Sequence, residues 1–458
     1  MISLNRFSHP NSSWWLAILL GGIWLVGFVW VGMQRGEVKE ACKRFAFDRV
    51  AESASFRLSA RDEFPGWILK AFRVDEDSME KKLLRFLDLS EKYELLPDAS
   101  RVKWAVPLVQ LGNHERARGV LPTEAYGSRD LEQRRQLMAA YAAEKELPEE
   151  LSEWANFQCE AGYSELPEWF ALHRGGHEAT IQWMKEVGRK LLIRGMFSRS
   201  LMVIGLVFGV IAIFCLLFRP SLFPASIPES PVFGQWNGSY VLRQFFIAEL
   251  LASVVVIGLA FVPIAPEMSD IQMAVLHFLY LALPAVFLAG TLAPNLGISW
   301  RLFFKSGRGW NYRKMVVLGL AFVGVFLIIA LLADWAVGRP FVIGDVIIPN
   351  YLDSKARVIW IAIGATIVAP FCEEFVFRGC FFRGLTQSWG IWPAAIVSSG
   401  LFAFIHGYGP MGLLATFLMG MSFCWLFRRS GSLWPGVFGH GIYNFIVVQE
   451  MVGWHSIH

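Results

Sequence analysis

Long runs of apolar residues alternate along this chain with short polar connections, except over residues 34–200, where charge is dense. Trp14 to Met33 carries no charged side chain over about 20 residues, enough for a helix to cross a hydrocarbon core of about 30 Å. The residues that follow, Gln34-Arg35-Gly36, lack a small-residue cleavage pattern, so this first block reads as a retained anchor. Beyond the basic stretch Lys185 to Arg199, apolar blocks run over 201–218, 244–263, 271–291, 315–337, 357–379, 391–407, 411–427 and 433–453. With the anchor they predict about nine spanning helices. The expected fold is all-α: a polytopic transmembrane bundle with an N-terminal anchor helix and an inserted helical soluble domain. The expected division is an anchor at 1–33, a soluble domain at 34–200, accessory membrane helices at 201–354 and a C-terminal group of helices at 355–458.

Within 34–200 the pattern is also helical. Trp104 to Leu121 has helical apolar spacing broken at Gly112-Asn113-His114-Glu115, and Gly175-Gly176-His177-Glu178 follows Trp169 to His173 in a similar way. Helix, glycine turn, helix is the pattern of helical-hairpin repeats that form adaptor surfaces, although two degenerate copies favour a plain helical bundle. Both His-Glu pairs lack the second helical histidine of a zinc-binding HExxH, because Arg118 and Ile181 stand there.

Composition sharpens this picture. Hydrophobic residues make up 55% of the 458 and charged residues only 17%, against about a quarter charged in soluble domains. The net charge of +4 comes with no basic, aromatic-interleaved stripe, which argues against nucleic acid as a partner. The six cysteines form no CxxC pair and no dense disulfide framework. Cys42 and Cys159 pair if the soluble domain lies outside the cytoplasm, or stay as buried thiols. Basic loops at 292–314 and at Arg428-Arg429 fall on one side when nine spans alternate, which puts 34–200 outside the cytoplasm, against the basic flank Lys185 to Arg199.

Ionisable groups inside spans are costly, about 2.5–3.5 kcal/mol for an acid at a helix centre, so a sequence that keeps several has a use for them. They concentrate in three places. In Pro370-Phe371-Cys372-Glu373-Glu374-Phe375-Val376-Phe377-Arg378, the spacing of four stacks Glu374 on Arg378 and leaves Glu373 free to act as a general base. His406 ends the run Phe402-Ala403-Phe404-Ile405-His406. His440 and Asn444 share one helical face and can donate hydrogen bonds to a developing oxyanion. Each has a plainer reading as helix-to-helix glue of about 0.6–2 kcal/mol, and His277 reads as such a packing residue.

The series Glu373-Glu374-x-x-x-Arg378, Phe402-x-x-x-His406 and His440-x-x-x-Asn444 resembles, in order, the three motifs of the CAAX-protease and bacteriocin-processing family. The likeness covers roughly 355–450, so that 355–458 would be the protease core. It implies an intramembrane endopeptidase acting on membrane-associated or lipidated peptides. Glu373 with His406 would activate water, His440 and Asn444 would form the oxyanion hole, and Glu374, Arg378 and Phe402 would support the geometry. The glutamate mechanism needs no cofactor, while two glutamates and two histidines leave zinc open. Equal depth for the three motifs requires the helix of His406 to start later than Ile391 or to bend, which Pro393 allows.

Rival chemistries fit less well. A rhomboid-type serine protease needs Gly-x-Ser-Gly, and Ser398-Ser399-Gly400 lacks its first glycine. A presenilin-type aspartyl protease needs Gly-x-Gly-Asp, and Ile343-Gly344-Asp345 falls short. The alternative of another class is a non-catalytic membrane scaffold or immunity-type partner. A transporter is a third, with few intramembrane charges (Glu249, Asp334) to support it. The expected setting is a bacterial inner membrane, with lipid and a peptide or protein substrate as partners and the soluble domain binding further proteins.

Overall fold

A computed structural model describes residues 10–34, 36–72, 75–92, 97–124, 128–161, 165–219, 238–261, 269–296, 304, 311–337, 355–408 and 410–455. Every regular element among them is helical. The chain divides into two compact units. One comprises 37–201 with 347–355 and 449–458; the other comprises 1–36, 202–346 and 356–448.

The unit built on 37–201 contains α2 (Gly36–Ser59), α3 (Gly66–Ala71), α4 (Glu76–Lys92), α5 (Asp98–Gln110), α6 (His114–Val120), α7 (Arg129–Ala142), α8 (Glu149–Glu160), α9 (Leu166–Arg174) and the first half of α10 (Glu178–Phe218). The expected glycine turns are present: Gly112 and Gly176 adopt φ of +74° and +80°, which a side chain would strain, and each separates two helices. Asn113 then caps α6 by accepting from Arg116 N–H, and Ser128 caps α7 through Leu131 N–H. Trp104, Leu108, Leu137, Met138, Leu83 and Leu87 form a fully buried core. Charges bridge its helices. Lys103 of α5 lies 3.3 Å from Glu52 and 3.2 Å from Glu165, and Arg134 of α7 bonds the buried Glu168 of α9 at 2.6 Å. The expected Cys42–Cys159 pairing falls on Cys42, whose side chain lies outside the described residues.

The other unit holds α1 (Pro10–Gln34), the second half of α10, α11 (Gly238–Ala260), α12 (Ser269–Leu296), α13 (Tyr312–Val337), a long composite helix over 355–389, α17 (Ile391–Ile405), α18 (Pro410–Ser430) and α19 (Trp434–His455). Every apolar block of the sequence is thus a helix. Five helices among the described residues are long and apolar enough to cross a membrane: 178–218, 238–259, 274–291, 312–332 and 358–389. Of the other four expected spans, α17 is only 15 residues long, α18 and α19 dilute their apolar runs with glycine and polar residues, and α1 lies partly outside the described side chains. The anchor belongs to the bundle: Trp24 packs on Phe246 and Phe404 at 5.9 and 6.3 Å, and Trp14 stacks on Trp389 at 5.3 Å.

Exposed Ile204, Val207, Phe208, Ile211 and Phe214 on α10 form an apolar stripe suited to lipid. Glycine permits the close approach of helices where lipid gives no hydrophobic drive. A Cβ on Gly209 of α10 would lie 2.1 Å from Gly324 Cα of α13. The basic loop used for orientation lies largely outside the described residues, as does Asp345.

Candidate active site

The composite helix runs as α14 (Lys355–Ile363), a π-helical stretch Gly364–Val368, α15 (Ala369–Glu373), a second π stretch Glu374–Phe382 and α16 (Arg383–Trp389). The sequence pattern ended this span at 379; the helix continues ten residues further. Pro370 gives a reason for the first widening. In the π register Ala369 N–H bonds Gly364 O, so the next carbonyl, that of Ala365, would need the N–H of residue 370, which proline lacks. The stranded acceptor is taken by Asn444, whose Nδ2 donates to Ala365 O at 2.8 Å. The second widened stretch similarly turns Phe377 O toward Ser398 Oγ, which donates at 3.1 Å from α17.

Glu374 and Arg378 form the ion pair that their spacing implies, at 3.0 Å, with side chains 1% and 0% exposed. The guanidinium lies against two rings, its Cζ 4.2 Å from the Phe402 centroid and 4.8 Å from that of Phe423. His440 of α19 approaches both acids: Nδ1 is 3.4 Å from Glu374 Oε1, and Nε2 is 3.9 Å from Glu373 Oε2. The angle at Nδ1 is not that of a hydrogen bond, so the first contact is electrostatic. Gly436 makes this approach possible, since a Cβ there would meet Glu374 Oε2 at 2.8 Å. Among the described residues Glu373 Oε2 has no hydrogen-bond partner, and its side chain keeps 15% exposure.

His406 stands just past the end of α17, its Nδ1 2.6 Å from Phe402 O. A carbonyl only accepts, so Nδ1 carries the proton and Nε2 presents a lone pair. The helix begins at Ile391 with Pro393 in its first turn, so the late start expected of it does not occur; a 15-residue helix places His406 at its end instead. Phe402 joins the parts, with its ring 4.7 Å from His406 and 6.1 Å from His440.

The structure therefore gathers Glu373, Glu374, Arg378 and His440, places His406 within the electrostatic reach of Glu373, and turns one amide N–H of Asn444 to the helix backbone. The structure adds one contributor that the sequence did not mark. Phe423 of α18 stacks on His440 at 5.0 Å, and an aromatic residue in an apolar span carries no signal of that role. Glu249 of α11 and His277 of α12, both singled out in the sequence, lie on helices that pack against the composite helix. His277 also lies where a Cβ on Gly364 would sit, 2.8 Å from its Cδ2. For these two the signal was present, as ionisable residues in apolar spans.

Zinc finds no fitted cradle. Among the described residues no three His, Cys, Asp or Glu side chains converge at ligating distance. Two of the donors are also engaged, Glu374 with Arg378 and His406 Nδ1 with a carbonyl.

Comparison with known proteins adds to this geometry. Residues 355–446 match the family described as Rce1-like, Type II CAAX prenyl endopeptidase Rce1-like. The chain is 32% identical over 101 residues to the "Putative membrane peptidase YdiL" of Bacillus subtilis (strain 168). That likeness takes in 22% of this chain and spans only 41% of the relative's length. No solved structure matches.

Proposed function

We propose that this chain is an intramembrane endopeptidase of the CAAX-protease type, hydrolysing peptide bonds of membrane-associated or lipidated peptides. The carrying observation is the meeting of Glu373, Glu374, Arg378 and His440 in one buried cluster, with His406 beside it. The family match over 355–446 supports the same reading.

In this mechanism Glu373 accepts a proton from a water whose oxygen attacks the scissile carbonyl carbon, with His406 Nε2 orienting that water. The oxyanion formed receives hydrogen bonds from His440 and from the second N–H of Asn444, whose first is committed to Ala365 O. The intermediate then collapses, the C–N bond breaks, and the proton held by Glu373 passes to the leaving amine. Glu374 stays paired with Arg378 and fixes the position of His440. The relative's bacterial source supports a bacterial membrane as the setting, and the helical unit over 37–201 is assigned to recruiting substrate proteins.

The test is cleavage of a quenched fluorescent peptide library, lipidated members included, by detergent-purified protein. Glu373→Gln and His406→Ala are expected to lose about 10²–10⁴-fold in rate, with wild-type activity kept in chelator. Equal rates in wild type and both variants would move the reading to a non-catalytic scaffold. Loss in chelator with recovery on zinc would replace the glutamate mechanism.

A further inference from the structure

Antiparallel contacts tie α11 to the composite helix and fix their register. Gly238 N–H donates to Ser388 Oγ at 2.9 Å. Close to one turn along α11, Val241 fills the space a Cβ on Gly384 would need, at 2.6 Å. Another turn brings Phe245 against Phe381 and Phe377, at 5.1 and 5.7 Å. The next turn of α11 reaches Glu249, and the matching step back along the other helix reaches Glu373. Residues four apart share a helix face, so Glu249 follows Phe245 toward that helix.

Glu249 is 5% exposed, and among the described residues no hydrogen bond or ion pair engages it. The nearest cations on its two helices are committed elsewhere: Arg243 lies over the Tyr240 ring at 5.3 Å, and Arg378 pairs with Glu374. Glu373 Oε2 is also without a hydrogen-bond partner. Arg378 is held by Glu374, and Glu373 has the His440 ring at 3.9 Å, so neither offers Glu249 a free cation. An unpaired acid in a membrane interior is unfavourable and calls for a donor, preferably a charged one. An ammonium or guanidinium on the bound substrate meets that need beside the general base.

We propose that Glu249 forms an anionic subsite that receives a basic side chain, lysine or arginine, flanking the scissile bond of the substrate. The inference rests on the peptidase reading above and deepens it by a substrate class. Glu249 is here a specificity-determining residue, separate from the attack on the carbonyl.

The test measures binding apart from turnover. Fluorescein-labelled peptides carrying lysine, acetyl-lysine or norleucine at each position near the centre are titrated against Glu373→Gln protein in detergent, read by fluorescence anisotropy. Lysine at one position should bind about tenfold more tightly than norleucine or acetyl-lysine, as expected for a partly buried charge pair. Adding Glu249→Gln should remove the preference, and Glu249→Asp should keep it. Equal binding of the three peptides overturns the subsite, and so does a lysine preference that survives Glu249→Gln. The acetylation contrast needs no change at Glu249, so a variant that fails to fold leaves the test intact. Wild-type cleavage of the same peptides separates the two readings. A lysine preference in binding without any cleavage keeps the subsite and rejects the peptidase. Cleavage with no lysine preference does the reverse.

Discussion

Replacing Arg378 by Met should unfold the protein far more readily than replacing Arg378 and Glu374 together. The pair lies at 3.0 Å with almost no exposure. At that distance and an effective dielectric of about 20, the attraction is about 5 kcal/mol, while removing each ion from water costs several kcal/mol. The intact pair is therefore close to neutral in net stability. Losing Arg378 alone leaves Glu374 buried and uncompensated, a loss of about 3–5 kcal/mol. The two ring contacts at 4.2 and 4.8 Å add about 1–2 kcal/mol each for a desolvated cation. In Glu374→Leu/Arg378→Met both charges leave at once, and the double variant should recover most of the 3–5 kcal/mol lost by the single. Chemical denaturation in mixed micelles would read all four corners of the cycle. On the mechanism proposed above, activity should stay low in the double variant, since His440 then loses the Glu374 oxygen 3.4 Å away. A double variant as unstable as Arg378→Met, or a single variant within about 1 kcal/mol of wild type, would refute the idea of a desolvated, mutually dependent pair.

Further expectations concern other parts of the molecule. If Asn444 donates to the oxyanion as proposed, Asn444→Ala should lower kcat by about 10²–10³ with little change in KM; a change confined to KM would deny it that part. Gly209→Ala forces a Cβ onto Gly324 at 2.1 Å and should cost about 1–3 kcal/mol in the same denaturation assay, while Gly258→Ala, with nothing within 4 Å, should be neutral. Burial pushes the Glu168 carboxyl above its usual value, ahead of the opposing Arg134 contact, and burial likewise raises Asp48 against Lys103. A raised acid keeps its proton in the folded state after the unfolded chain has lost it. Its contribution is therefore largest at low pH and is lost as pH rises from the ordinary carboxylate range through the folded value. Thermal midpoints taken across that window should fall less in Glu168→Gln than in wild type, and parallel curves would contradict the assignment.

The sequence by itself determined the helical class, the apolar blocks, the glycine turns at Gly112 and Gly176 and the Glu374–Arg378 pair. Each follows from local spacing: a run of about 20 apolar residues, a residue needing positive φ, or two groups four apart on one helix. It also supplied the motif residues, because a charge or imidazole in an apolar span stands out against its neighbours. Tertiary structure alone decided what those residues face. Phe423 is an ordinary span residue until α18 sets its ring between Arg378 and His440. Asn444 shares a face with His440, yet its amide is claimed by a carbonyl that Pro370 strands on another helix. Glu249 was visible as a lone acid, but its position opposite Glu373 depends on the register of α11 against the composite helix. Spacing within one helix is set by backbone geometry, whereas contacts between helices far apart in sequence depend on side-chain volumes and crossing angles across the whole bundle.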